Sequence, residues 1–148
     1  MSSGKSALVV FAVIFIVMQF IKNDTEIKPA DKNLEIKADA QVMDILKKSC
    51  YDCHSDTPKI PFYGHIAPAS WVVHKDITDA RAALNFSTWQ DYNSTKQFEL
   101  RKSMFRAVYA AMPPAAYTFI HTDTKLDKTQ VEILRNWCNI SIEEASKK

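Results

Sequence analysis

Apolar positions along the chain fall into one continuous run and four rows of helical period. Residues 7–21 are apolar apart from Gln19. Val42, Ile45, Leu46 and Cys50 then recur at steps of three and four, which places them on one face of a helix that Asp39 can cap and that ends around Cys50 to His54. Residues 55–68, cut by Pro58, Pro61, Gly64 and Pro68, read as a loop. Val73, Ile77, Ala80 and Leu84 predict a helix over 69–84, with Pro68 suited to its first turn. The pattern breaks over 85–93. Phe98, Phe105, Val108, Tyr109 and Met112 then predict a helix over 95–111 that Pro113 and Pro114 stop. A last helix is expected over 128–140, with Asp127 and Gln130 as a capping-box pair. Val131, Leu134 and Cys138 form its apolar row, with Trp137 beside it.

The 148 residues contain two glycines and six prolines, few turn residues for a sheet protein, and no internal repeat. An all-α single domain is the expectation. The leading apolar run is too short for an ordinary span and long for a signal-peptide core. Lys5 and Lys22 flank it, and no small-residue cleavage pattern follows Ile21. It is read as an uncleaved membrane anchor over 1–21, with a cleaved signal and a buried core helix as alternatives. Lys5 inside would leave the remainder outside the cytoplasm, which predicts an inner-membrane protein facing the periplasm. Residues 22–38 read as a solvated tether, 39–140 as the domain and 141–148 as a tail. Removing 1–21 takes only Lys5 from nineteen basic residues and leaves seventeen acidic ones, so the rest is close to neutral. A nucleic-acid partner is not expected.

Candidate chemistry concentrates in Cys50-Tyr51-Asp52-Cys53-His54, the C-x-x-C-H pattern of covalent haem attachment. Two thiols at this spacing reach the two vinyl groups of one porphyrin, and the adjacent imidazole ligates its iron. A zinc site would need two further ligands at a matching pair, whereas His65, His74, His121 and Cys138 are isolated. A thioredoxin-like pair would start a helix after a strand, and a Cys50–Cys53 disulfide would leave His54 without a role.

For the sixth iron position the candidates are Met104, Met112, His65, His74 and His121, or the position is open. Met112 is preferred because the stiff Pro113-Pro114 segment follows it. His65 and His74 stand as bis-histidine alternatives, and Met104 reads as core filler. Trp71, Trp89 and Tyr117 are the rings expected near the cofactor, where indole and phenol donors reach propionates, and Arg81 could pair with a propionate. Cys138, in its apolar row, reads as an inert buried thiol.

These residues resemble the bacterial haem-binding domain of small mono-haem c-type cytochromes, over roughly residues 42–137. The marks are Cys50 to Ser55, Ile66-Ala67-Pro68 with Ser70-Trp71, Leu84-Asn85-Phe86-Ser87 with Trp89, and Met112-Pro113-Pro114 with Tyr117. The chain departs from that pattern in lacking a tryptophan over 57–63 and in carrying Ala80 and Ala111 at glycine-like places. The resemblance implies a class I cytochrome c-like fold with one covalent haem c, thioether bonds at Cys50 and Cys53, His54 as proximal iron ligand and Met112 as distal one. The expected function is one-electron transfer, without enzymatic turnover, between redox protein partners or within a membrane respiratory complex. The competing class is a haem-based gas or redox sensor, or a small peroxidase, with an open or labile sixth site.

Overall fold

Side-chain caps define where the helices begin. Asp39 Oδ1 accepts from the Val42 N–H at 2.9 Å and opens α2 (Ala40–Ser49). At Cys50 the backbone leaves helical geometry, with φ −130° and ψ −34°, and a single further turn, α3 (Tyr51–His54), follows. Asn93 Oδ1 accepts from the Lys96 N–H at 2.8 Å and opens α5 (Ser94–Ala110). The capping box at the start of α7 (Lys128–Ser146) closes in both directions. The Gln130 N–H donates to Asp127 Oδ1 at 2.8 Å and the Asp127 N–H to Gln130 Oε1 at 3.1 Å.

The computed structural model describes residues 3–22 and 25–146, with side chains for 4–22 and 25–139. Residues 1–2 of the expected anchor, 23–24 of the expected tether and 147–148 of the expected tail lie outside the described residues. The remaining helices are α1 (Ser3–Met18), α4 (Ala69–Ala83) and α6 (Ala115–Ile120). Three 3₁₀ turns, Phe62–His65, Phe86–Asp91 and Thr122–Thr124, complete the order, and there is no strand among the described residues. The last helix runs on to Ser146, through most of the residues expected as a tail.

α5 and α7 form the most extensive helix pair, and α2 packs on α7. Leu100, Met104 and Val108, at steps of four on α5, join Leu134 and Cys138 of α7 and the Val42–Ile45–Leu46 face of α2 in one core. Each fully buried aliphatic side chain here contributes about 1.5–3 kcal/mol. Gly64 belongs to the turn that meets α4. A Cβ on it would stand 2.8 Å from Ile60 Cγ2 and 3.3 Å from Val73 Cγ1, so the close approach depends on its having no side chain.

The N-terminal membrane anchor is corrected by the structure. α1 is 16 residues long, which at 1.5 Å per residue covers about 24 Å of a hydrocarbon core of about 30 Å. Past Met18 the chain turns, and Gln19 is engaged with the domain. Its Oε1 accepts from the Ala67 N–H at 2.9 Å and its Nε2 donates to the Ala67 carbonyl at 3.2 Å. No helix among the described residues is long and apolar enough to cross a membrane. The single N-terminal span is therefore not supported, and neither is the inner-membrane, periplasm-facing location inferred from it.

The residues read as a solvated tether also differ from expectation. Ile36 is 2% exposed and part of the core. Its N–H donates to the Phe86 carbonyl at 2.9 Å, while the Gln90 N–H donates to the Leu34 carbonyl at 2.9 Å. Ile27, Leu34 and Ile36 are too sparse in this polar stretch to form a helical row, so only the finished core shows that it packs on the domain.

Candidate cofactor site

The break at Cys50 creates the site's central turn. With the backbone out of helical geometry there, the Cys50 carbonyl accepts from both the Cys53 N–H at 3.2 Å and the His54 N–H at 2.9 Å. Ser55, fully buried, then ends the turn by donating its hydroxyl to the Tyr51 carbonyl at 2.7 Å. Cys50 and Cys53 are half-buried free thiols. Burial, with the neighbouring Cys53 adding to it, pushes the Cys50 thiol up to about 12. Burial and the Asp52 carboxylate push Cys53 up to about 11. Both are protonated at neutral pH.

His54 is oriented from a distant part of the chain. Its Nδ1 lies 2.9 Å from the carbonyl oxygen of Leu84. A carbonyl only accepts, so Nδ1 carries the proton and Nε2 keeps its lone pair. Burial lowers the His54 pKa against the opposing pull of the Leu84 and Ala80 carbonyls, which favours the neutral, ligating form of the ring.

The residues after Leu84 build the wall behind this imidazole. Asn85 Oδ1 accepts from the Ser87 N–H at 2.9 Å, an Asx turn that starts the 3₁₀ segment, and Asn85 Nδ2 donates to Asp56 at 2.7 Å. Ser87 Oγ accepts from the Asp56 N–H at 3.0 Å. Between them Phe86, 1% exposed, stacks on Tyr51 at 5.4 Å and stands 5.8 Å from the His54 ring. Leu84-Asn85-Phe86-Ser87 was legible as a motif, but the bonding of Asn85 and Ser87 to Asp56 was not. The Asn-x-Ser spacing after a helix is a local signal from which such a turn can be found.

The chain that follows α5 reaches the motif through one side chain of α6. Met112, 40% exposed, bonds its N–H to the Ala107 carbonyl at 2.9 Å at the end of α5. Tyr117, on α6, donates its hydroxyl to Asp52 Oδ2 at 2.7 Å. Burial and that carboxylate raise its phenol well above the ordinary range, so it remains a donor. The Tyr117 ring stacks on His121 at 4.6 Å, and His121 Nε2 lies 2.7 Å from the Tyr63 hydroxyl. α6 was not legible in the sequence because six residues between two prolines and a histidine show no two-turn pattern, and the Tyr117–Asp52 and Tyr63–His121 bonds join positions 65 and 58 residues apart.

The other expected cofactor residues have protein partners. The Trp71 indole N–H donates to the Ile21 carbonyl at 3.0 Å. Trp89 is 1% exposed in the core, edge-on to Tyr92 and under the Arg101 guanidinium at 5.5 Å. Arg81 Nε donates to the Ser55 carbonyl at 2.7 Å and its Nη1 to the Glu26 carbonyl at 2.6 Å, with Asp56 at 4.0 Å. Its Nη2 is buried with no hydrogen-bond partner among the described residues. His74 Nδ1 accepts from the Thr25 N–H at 3.0 Å, and His65 is exposed.

The donor set fits haem. Two unpaired thiols adjoin a neutral imidazole whose second nitrogen is held by a carbonyl, the arrangement in which an outer partner fixes a metal-ligating histidine. No group of three or more His, Cys, Asp or Glu that could hold a metal ion exists among the described residues, so the thiols lack the further ligands of a closed zinc site. The all-helical fold and this site define a small haem protein. The chain belongs to the haem-binding domain family, whose model matches residues 13–140. No curated protein and no solved structure matches it.

Proposed function

We propose that the protein is a mono-haem c-type cytochrome that passes single electrons between redox protein partners. Cys50 and Cys53 would each form a thioether by adding S–H across a vinyl group, with no atom lost, and His54 Nε2 would hold the iron from one side. Bound haem supplies a one-electron iron couple. The carrying observation is the His54–Leu84 bond at 2.9 Å beside the two thiols, which leaves His54 Nε2 with the lone pair that ligation needs.

Met112 is the proposed sixth ligand. It closes the segment that Tyr117 brings onto the motif, and a thioether there raises the reduction potential and leaves no position for substrate. Arg81 Nη2, a buried donor without a hydrogen-bond partner among the described residues, would suit a propionate oxygen. A formal charge of +2 for the whole chain supports brief, weakly steered docking with partners.

The test is an optical spectrum of the haem-loaded protein, oxidised and reduced. The weak methionine-to-ferric-iron band in the far red should be present, should vanish in Met112→Ala, and carbon monoxide should not bind the reduced wild type. Ready carbon monoxide binding would place a sensor or small peroxidase with an open sixth site ahead of the electron carrier.

A further inference from the structure

One contact of the site has no part in holding or ligating the cofactor, yet it joins the site's two halves. Asp52 lies between the two cysteines, and the Tyr117 hydroxyl reaches it across 65 residues of chain at 2.7 Å. The Tyr117 ring also stacks on His121, which is bonded at 2.7 Å to Tyr63 in the turn Phe62–His65. The residues after Met112 are therefore pinned at two points, one on the cysteine motif and one on the turn packed against α4. Apolar burial does little of this work. α6 contains no buried residue, and Phe119 and Ile120 on it are exposed. A segment without a buried face is held in place by its polar contacts, and a hydrogen bond to a carboxylate is among the stronger kinds.

We propose that Tyr117 is a positioning residue, whose bond to Asp52 latches the segment carrying Met112 onto the Cys50–Cys53 motif and so keeps the sixth iron position closed to small ligands. The latch rests on the reading of Met112 as that ligand. With the bond intact, the segment has to break it before an outside ligand displaces the thioether. Without it, the open arrangement gains population by at least about tenfold, the equivalent of one charge-assisted hydrogen bond. The phenol hydroxyl is thereby committed to Asp52 rather than to a propionate.

The experiment uses the full haem-loaded chain as wild type, Tyr117→Phe, Asp52→Ala, the double variant and Met112→Ala. Imidazole is titrated into the oxidised protein and followed optically, and amide hydrogen exchange is read over residues 115–121. Tyr117→Phe and Asp52→Ala should each raise imidazole affinity about tenfold or more and speed exchange in that segment, with the double variant no worse than either alone. Tyr117→Phe removes one half-exposed hydroxyl, and Asp52→Ala reaches the same bond from its other end. Unchanged affinity and exchange in both single variants, while Met112→Ala binds imidazole tightly, would overturn the latch and leave Met112 as ligand. A Met112→Ala protein with the wild-type spectrum and affinity would instead overturn the Met112 assignment, and the latch's effect on iron with it.

Discussion

His54 Nδ1 stands 2.9 Å from the carbonyl oxygen of Leu84, 30 residues further along the chain. That single bond fixes the tautomer, turns the ring and ties the cysteine motif to the end of α4. Because the ring is also buried, it has a consequence for stability.

In the haem-free protein, burial holds His54 below its ordinary pKa of 6.5. The unfolded chain then binds a proton that the folded chain refuses, and the stability from the neutral buried ring is full above that value and declines as pH falls through it. The urea midpoint of the haem-free wild type should drop between about pH 7.5 and about pH 5.5, and His54→Gln should drop less. Equal slopes in the two proteins would show that His54 carries no linked proton.

The thiols should react in a set order. Cys53, at about 11, should be alkylated before Cys50, at about 12, both slowly at neutral pH. Cys138 is fully buried, with its thiol raised to about 12, and should react only on unfolding. In haem-loaded, denatured protein, peptide mapping should find Cys138 alkylated and Cys50 and Cys53 blocked. Labelled Cys50 and Cys53 in that sample would sink covalent attachment.

Phe86→Ala should destabilise the domain by about 3–5 kcal/mol, the usual cost of deleting a buried ring. The side chain is 1% exposed between Tyr51 and His54, so the cavity opens directly behind the imidazole. Denaturant unfolding gives the magnitude. A loss under about 1 kcal/mol would mean that the wall collapses onto the gap without cost.

Side chains 4–17 of α1 are exposed, so they contribute little to the stability of the rest. Deleting residues 1–18 should change unfolding free energy by no more than about 0.5 kcal/mol. Gln19→Ala, which frees both backbone groups of Ala67, should cost about 1 kcal/mol. A large loss from the deletion with none from Gln19→Ala would place the important contacts within α1 itself.

Much of the local structure was legible in the residues themselves. The Asp39 cap and the Asp127–Gln130 box act within three residues, and the apolar rows of α2, α4 and α7 repeat within one or two turns, whereas α5 buries Leu100, Met104 and Val108 and leaves Tyr109 and Met112 of its expected row exposed. The cysteine motif is local too: five consecutive residues pointed to haem, and a haem-binding domain family is the one whose model matches the chain. Apolar character alone suggested an anchor, but the helix length, and the Gln19 side chain bonded to Ala67, depend on where that helix stops and what it meets.

The rest required the tertiary structure. The Leu84 carbonyl on His54, the Tyr117 hydroxyl on Asp52 and Ile36 in the core join positions separated by 30 residues or more. Periodicity and capping are settled by neighbours a few residues away, whereas a backbone carbonyl, or an isoleucine outside any helical row, carries no pattern that names its partner. Its partner is decided only when packing brings distant segments together.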